Sequence, residues 1–485
     1  MQQHKLIQLL KKLERREMTR FREFSESPYH NKHEIVRQLV RYLSDIYPQY
    51  TDSNCNRYRL FRQLFPEEPH DQKKLAVHFT YTLRLLEEFL QLEQLQQQPA
   101  LGQQLLLQRL RNKKQLKHFE KILSKLEKKT NEIKQRDAQW YFHRFQAAAE
   151  SDYYFTLVSE RRRDQSLQYK QDYLNRYFLA VKLRDACEMA VRQRILKISY
   201  DDPMAAIAVQ QVEQSPTTLQ GEPAINLYYR LYLVITEQSP AYYFEARAQL
   251  QQQQSALPDE ELKNIYNYLQ NYCIQRINAG EARFLQEIFQ LYQAQLERGL
   301  LLEDGWLSEW HYKNIVTTAL RLDELDWVHQ FIEDYKSRLP EASRDNAYRF
   351  NLAAYYYAAE QHARVLELLT QVEYSDLRYS LGAKALLLRT YYDLEEYEAL
   401  FSLVDSFKQY LIRNKLMADD RRLGYHNLFK LTRRAATLRY NQGYYAASRY
   451  NKELQRLRRD IGEAKAVFNK GWLLERVKEL EGGRV

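Results

Sequence analysis

Apolar residues recur three and four positions apart along almost the whole chain, the spacing that lines one face of an α-helix. Leu6, Leu9, Leu10 and Leu13 open the pattern and predict a first helix from about Lys5 to Phe24. It stops at Ser27-Pro28, because the residue before a proline is pushed out of the α region. Asn31-Lys32-His33-Glu34 has the form of a capping box for the next helix. That helix carries Ile35, Leu39, Tyr42, Leu43 and Ile46 and ends before Tyr47-Pro48. A short helix through Leu60 and Leu64 ends at Phe65-Pro66, and Asp71 is placed to cap a long helix holding Leu75, Phe79, Leu83, Leu86 and Leu90. Residues 1–98 therefore read as an N-terminal helical module.

Gln96-Gln97-Gln98-Pro99 reads as a linker, and residues 99–200 as long basic helical hairpins. Leu116, Phe119, Leu123, Leu126, Thr130 and Ile133 form the seam of one such hairpin, with the helix of Trp140 and Phe145 as its partner. A long helix follows over about Ser166 to Ser199. Asp202-Pro203 then supplies an N-cap and a first-turn proline. From there to about residue 480 the helices shorten, with breaks at Gly221, Ser239-Pro240, Pro258-Asp259, Gly280, Gly299 to Gly305 and Leu339-Pro340. Between about 312 and 407 the pattern repeats every 35 residues: Thr318, Ala353 and Leu388 align, as do Leu322, Tyr357 and Tyr392, Trp327, His362 and Tyr397, and Phe331, Leu366 and Phe401.

A small or apolar residue, an aromatic one turn on, then an apolar second helix resembles the tetratricopeptide repeat, whose period is about 34 residues. The best match runs from Asn351 to Val372, with Leu352, Ala353, Tyr356, Val365 and Leu369, and the next from Leu387 to Phe407. Position eight is Ala or Leu rather than Gly, the later Ala is Val or Leu, and the closing Pro is missing, so a generic α-solenoid stands beside that family. The resemblance implies binding rather than catalysis, with first-helix residues Tyr357, Arg389 and Tyr392 lining a partner groove. Phe21-x-x-Phe24-Ser25-x-Ser27-Pro28-Tyr29 resembles the start of uncharacterised helical bacterial proteins and implies no function. The expected fold is all-α: helical hairpins stacked as an α-solenoid over 201–480, behind the N-terminal module.

Composition sharpens this picture. The 485 residues include only 12 Gly and 11 Pro, too few for a protein built on tight turns, but 39 Tyr. A tyrosine buries its ring between helices while its hydroxyl finds water or a backbone partner. Doublets such as Tyr228-Tyr229, Tyr242-Tyr243 and Tyr391-Tyr392 place one ring in a seam and the next near a groove. Three scattered cysteines argue against a disulfide framework and a thiolate zinc site. No apolar stretch reaches the roughly 20 residues of a membrane span, and Met1 to Arg20 lacks the apolar centre of a signal peptide. A cytoplasmic protein is expected.

Phosphate loops of the GxxxxGK[ST] or GxGxxG type, the GxSxG elbow and the HExxH helix are missing from the sequence. His30, His33, Glu34 and His70 are the nearest approach to a metal-ligand set, and chance explains them better. No enzymatic activity and no cofactor are expected. The charge is uneven: net +14 over 1–199, −15 over 200–407 and +11 over 408–485. Residues 109–136 alone carry 11 basic and 3 acidic side chains. On a helix over 421–440, Arg422, His426, Lys430 and Arg433 oppose Leu428, Leu431, Ala435 and Leu438; on the next, Lys452, Arg456 and Arg459 oppose Tyr450, Leu454, Leu457 and Ile461. The expected function is a protein-interaction scaffold that takes a peptide or partner protein in its groove. The alternative is a nucleic-acid-associated protein using the basic hairpins at 109–136 and 421–460.

Overall fold

The computed structural model describes residues 3–158, 165–215, 219, 221–369, 377–413 and 419–482. The chain is all-α. It divides into two compact units, Met1–Leu183 with Met204–Ile225, and Arg184–Pro203 with Asn226–Val485. The boundaries fall after Leu183, Pro203 and Ile225.

In the first unit, α1 (Lys5–Leu10), α2 (Arg15–Glu26), α3 (Glu34–Asp45) and α4 (Arg57–Leu64) all pack on α5 (Gln72–Gln96). Their core runs from Leu6 and Phe21 through Leu39, Leu43 and Phe61 to Phe79, Leu86 and Phe89. The opening helix is broken where a continuous one is expected. Leu13 turns into the core, and Glu14 restarts the helix with a capping box, its backbone N–H donating to the Glu17 carboxylate at 2.7 Å. Asn31 is also not a helix cap. His33 holds that position, while Asn31 is buried, accepts from the His33 N–H at 2.9 Å and donates to the Ser25 carbonyl. Asp71 caps α5 as expected, accepting from Lys73 and Lys74.

Only Gln97 and Gln98 separate α5 from α6 (Pro99–Asn112), which packs back on α5. With α7 (Leu116–Glu132) and α8 (Ala138–Val158), α6 forms a second, smaller core of Leu107, Phe119, Leu123, Leu126 and Ala147. The helix α9 (Ser166–Leu196) and α10 (Pro203–Gln214) follow. Glu222 joins two helices of this unit, accepting from the Tyr141 hydroxyl at 2.6 Å and the Arg176 guanidinium at 2.7 Å.

The second unit continues through α11 (Pro223–Glu237), α12 (Pro240–Gln253), α13 (Asp259–Asn278), α14 (Arg283–Glu297), α15 (Glu309–Leu320), α16 (Leu325–Tyr335), α17 (Arg344–Ala358), α18 (His362–Leu369), α19 (Leu377–Asp393), α20 (Tyr397–Arg413), α21 (Asp419–Tyr440), α22 (Ala447–Glu463) and α23 (Lys470–Gly482). From α13 on, each helix packs on the next. From α15 on, odd-numbered helices also pack on one another: α15 on α17, α17 on α19, α19 on α21, and α21 on α23. The approach of α17 to α19 is close enough that a Cβ at Gly382 would stand 2.9 Å from the Phe350 ring.

The same turn closes four of these odd helices. Glu281, Glu324, Gln361 and Glu396 each donate a backbone N–H five residues back, to Arg276, Ala319, Tyr356 and Tyr391. This six-to-one bond ends a helix in a Schellman motif, whose left-handed residue is usually Gly. Here it is Gly280, Asp323, Glu360 and Glu395, with φ between 58° and 94°. The scarcity of glycine is thus met by strained polar residues at helix ends. One element departs from the helical expectation: Leu302–Glu303 and Trp306–Leu307 pair as a two-residue antiparallel ribbon around Asp304-Gly305, both at positive φ. An Asp-Gly pair is the residue signal for that turn.

The aligned first-helix positions Thr318, Ala353 and Leu388 are all buried. In the second helices the aligned column is uneven: Phe331 is buried and Leu366 half-buried. Leu400 is fully buried, whereas Phe401 packs at the edge of the core beneath the Arg433 guanidinium, 5.3 Å from its ring. Val372 lies outside the described residues.

Two stability measurements check this. Leu400→Ala is expected to cost about 2–5 kcal/mol and Phe401→Ala roughly 1 kcal/mol in denaturant unfolding; the reverse order would refute the register. Glu360→Gly relieves a left-handed glutamate and is expected to stabilise by about 0.5–1 kcal/mol, where the same change inside a helix destabilises.

Candidate functional site

Four odd helices of the second unit bring together a cluster of aromatic and cationic groups. Tyr357 ends α17, just before its closing turn, and its half-buried side chain reaches α19. There its hydroxyl donates to Asp393 Oδ2 at 2.5 Å. Arg389, one helical turn before Asp393 and on the same face, lays its guanidinium 4.5 Å from the Tyr357 ring centroid. The other oxygen of Asp393 accepts from Arg476 of α23 at 3.2 Å, and Arg476 also reaches Glu479. Trp472, one turn before Arg476, stands edge-on to Tyr392 with ring centroids 5.4 Å apart. On the other side of Tyr392, Arg439 of α21 lies over the ring and bonds its carbonyl and the Glu395 carboxylate.

Burial sets the electrostatics of this cluster. Desolvation pulls the Arg389 pKa below the ordinary arginine value, opposed by the Tyr357 hydroxyl and the Asp393 carboxylate. The same burial, with Asp393 adding to it, pushes the Tyr357 hydroxyl up, so it remains a donor at any physiological pH. Four buried nitrogens here have no hydrogen-bond partner among the described residues: Arg389 Nε, Arg476 Nε, Trp472 Nε1 and His362 Nδ1. The His362 ring lies 5.4 Å from that of Tyr357.

Two of the three expected groove residues, Tyr357 and Arg389, thus meet. The third does not join them. Tyr392 is 1 % exposed and belongs to the core, because its neighbour Asp393 takes the outer position on α19. Sequence reading missed Asp393, Trp472 and Arg476. Their local spacing was visible, since Arg389 and Asp393, like Trp472 and Arg476, are one turn apart. What joins the two pairs is a contact across 83 residues of sequence.

The basic stripes have the expected amphipathic form: Leu428, Leu431, Ala435 and Leu438 are buried on α21, and Tyr450, Leu454, Leu457 and Ile461 on α22. Most of their charge is met locally, however. Arg422 pairs with Asp419, Arg433 with Asp405, Arg456 with Glu453 and Arg459 with Asp460, leaving Lys430 and Lys452 as exposed cations. Arg433 turns toward α20, whereas its neighbour Arg434 bonds Asp460 of α22. In the first unit Arg111 is engaged by Glu150, while the lysines of α7 from Lys117 to Lys129 are exposed.

His30, His33 and His70 have separate aromatic partners: His30 stacks on Phe24 and bonds Glu88, His33 stacks on Tyr81, and His70 lies against Tyr58 and Phe61. Among the described residues no group of three or more His, Cys, Asp or Glu side chains is arranged to hold a metal ion. No described helix is long and apolar enough to cross a membrane.

The chain matches no protein-family model, no curated protein and no solved structure.

Burial disfavours the thiolate at each cysteine. Cys55 and Cys187 are raised, and Cys273, beside the Tyr243 hydroxyl, is pushed up to about 11. A disulfide reagent that consumes thiolate is therefore expected to titrate none of the three rapidly in the native chain at pH 8, and all three in denaturant. A fast native reaction would show that one of them is accessible.

Proposed function

We propose that this chain is a non-enzymatic protein-interaction scaffold that holds a peptide or partner protein along the odd-numbered helices of the second unit. The observation that carries the reading is the recurrent helix pair. Helices α13, α15, α17 and α19 end in the same turn, each odd helix from α15 on packs on the next odd one, and the row they form presents Tyr357 and Arg389. A stack of such pairs buries one continuous core and leaves a long face of first-helix side chains, which suits an extended partner. The likeness to tetratricopeptide repeats supports the same reading, as a member of that family or as a more general α-solenoid. A cytoplasmic setting fits three thiols held free in the core.

The nucleic-acid reading rests on the exposed lysines of α7. It draws less from α21 and α22, where acidic neighbours already meet four of the six basic residues, and charge that is paired locally releases few counterions on binding.

The test is affinity capture of the tagged full chain from host lysate, with and without nuclease. A discrete protein partner is expected to survive nuclease and the combined reversal Lys430→Glu, Arg433→Glu, Arg456→Glu and Arg459→Glu. Tyr357→Ala is expected to weaken that same partner by about tenfold, as an aromatic anchor does. Recovery of nucleic acid, with proteins lost after nuclease, would replace this reading with the second one.

A further inference from the structure

Arg389 differs from every other arginine of its cluster. Arg439 has the Glu395 carboxylate at 2.7 Å, and Arg476 has Asp393 and Glu479, both at 3.2 Å. The Arg389 guanidinium has no hydrogen bond and no ion pair with any described residue. Its contacts are the Tyr357 ring, 4.5 Å away, and the more distant field of Asp393. Asp393 is well placed to serve it, one turn along the same face of α19. Both its oxygens are drawn elsewhere, one by the Tyr357 hydroxyl and one by Arg476. A sheltered cation left without a carboxylate is costly, since desolvation is repaid only by a close partner with good geometry.

We infer that Arg389, backed by the Tyr357 ring, is the seat for a carboxylate carried by the bound partner, an Asp or Glu side chain of its peptide. This rests on the scaffold reading above and names the chemistry of its anchor. Three observations direct it. The guanidinium is a planar fork that takes two carboxylate oxygens side by side, and it lies over the Tyr357 ring, 4.5 Å from the centroid. Among the described residues the cluster holds further donors without acceptors, at Trp472 Nε1 and Arg476 Nε. Asp393, the nearest carboxylate, already holds two other donors, the Tyr357 hydroxyl and Arg476, so Arg389 is the cation left for an incoming carboxylate.

The experiment uses the full chain and a pair of capped amino acids, acetyl-Glu-amide and acetyl-Gln-amide, with inorganic phosphate as a third ligand at matched ionic strength. Thermal midpoint and calorimetric titration are read for the wild type, Arg389→Met and Arg389→Lys. The glutamate is expected to raise the wild-type midpoint by about 2 °C when it stands tenfold above its Kd, with no response to the glutamine. Arg389→Met replaces an uncompensated cation by an apolar chain of similar length. It is expected to melt at or above the wild-type midpoint without ligand and to lose the glutamate response. Arg389→Lys keeps the charge but not the fork, and is expected to bind the glutamate several-fold more weakly. Equal responses to glutamate and glutamine, a stronger response to phosphate, a glutamate response surviving in Arg389→Met, or a collapse of the Met variant's fold would each overturn the assignment. Glutamate binding without any captured protein would count against the scaffold reading alone. A nuclease-resistant partner indifferent to Arg389→Met would count against the carboxylate seat alone.

Discussion

A helix of 11 to 17 residues with one apolar stripe cannot bury that stripe by itself, and most of the second unit follows from this constraint. Helix α17 shows it well. Ala347, Phe350, Leu352 and Ala353 are all buried, and the helix packs on α15, α16, α18 and α19. Such a helix is stable only between neighbours, and those neighbours need neighbours in turn. The outcome from α15 on is a row in which each odd helix touches the next odd one. Close contact then becomes a sequence requirement, met at Gly382, where the Phe350 ring occupies the space of a side chain. Because the odd helices lie side by side, residues far apart in sequence come to share a face. Tyr357, Asp393 and Arg476 meet in this way.

The tyrosines give the packing its specificity. An apolar seam tolerates sliding, whereas a buried hydroxyl must find an acceptor or leave a polar group unsatisfied. Here the hydroxyls cross between elements to fixed points. Tyr42 donates to the Asn54 carbonyl, Tyr47 to that of Leu13, Tyr312 to that of Ile332, and Tyr450 to that of Leu480. Others end on carboxylates, as Tyr141 does on Glu222 and Tyr228 on the buried Glu261. Each such bond ties a ring to one acceptor at a fixed point, which phenylalanine in the same place would not do.

Much of the fold was readable because it is local. Apolar spacing, the proline stops after Ser27 and Phe65, the Asp71 cap and the proline-led starts of α10 and α12 are properties of short windows. The doublets also read correctly: Tyr228, Tyr243 and Tyr392 are buried, and the neighbours Tyr229, Tyr242 and Tyr391 are half-buried. Errors arose where two local signals compete. At Leu13-Glu14 the apolar period runs on unbroken, and only the reciprocal bond between Glu14 and Glu17 shows that the helix restarts. At Asn31 a side chain of capping type is used instead to pin a buried turn. At Phe401 the aligned column reaches only the edge of the core, which the neighbouring Leu400 fills.

The candidate site was half legible for a related reason. Periodicity places Tyr357 and Tyr392 at equivalent positions, yet one ring is half-buried and the other fully buried. The difference comes from α23, where Trp472 closes over Tyr392 and Arg476 engages the adjacent Asp393. Nothing in either repeat announces a helix arriving some 80 residues later. The charges follow the same logic. A stripe such as Arg422, Lys430 and Arg433 is conspicuous in sequence, but exposed arginines find acids one turn away or across a seam, and water screens what is left. Arg389 is a single cation in an acidic stretch and invites no notice. Its surroundings make it the stronger electrostatic feature, because a charge removed from water and left without its counterpart keeps most of its field.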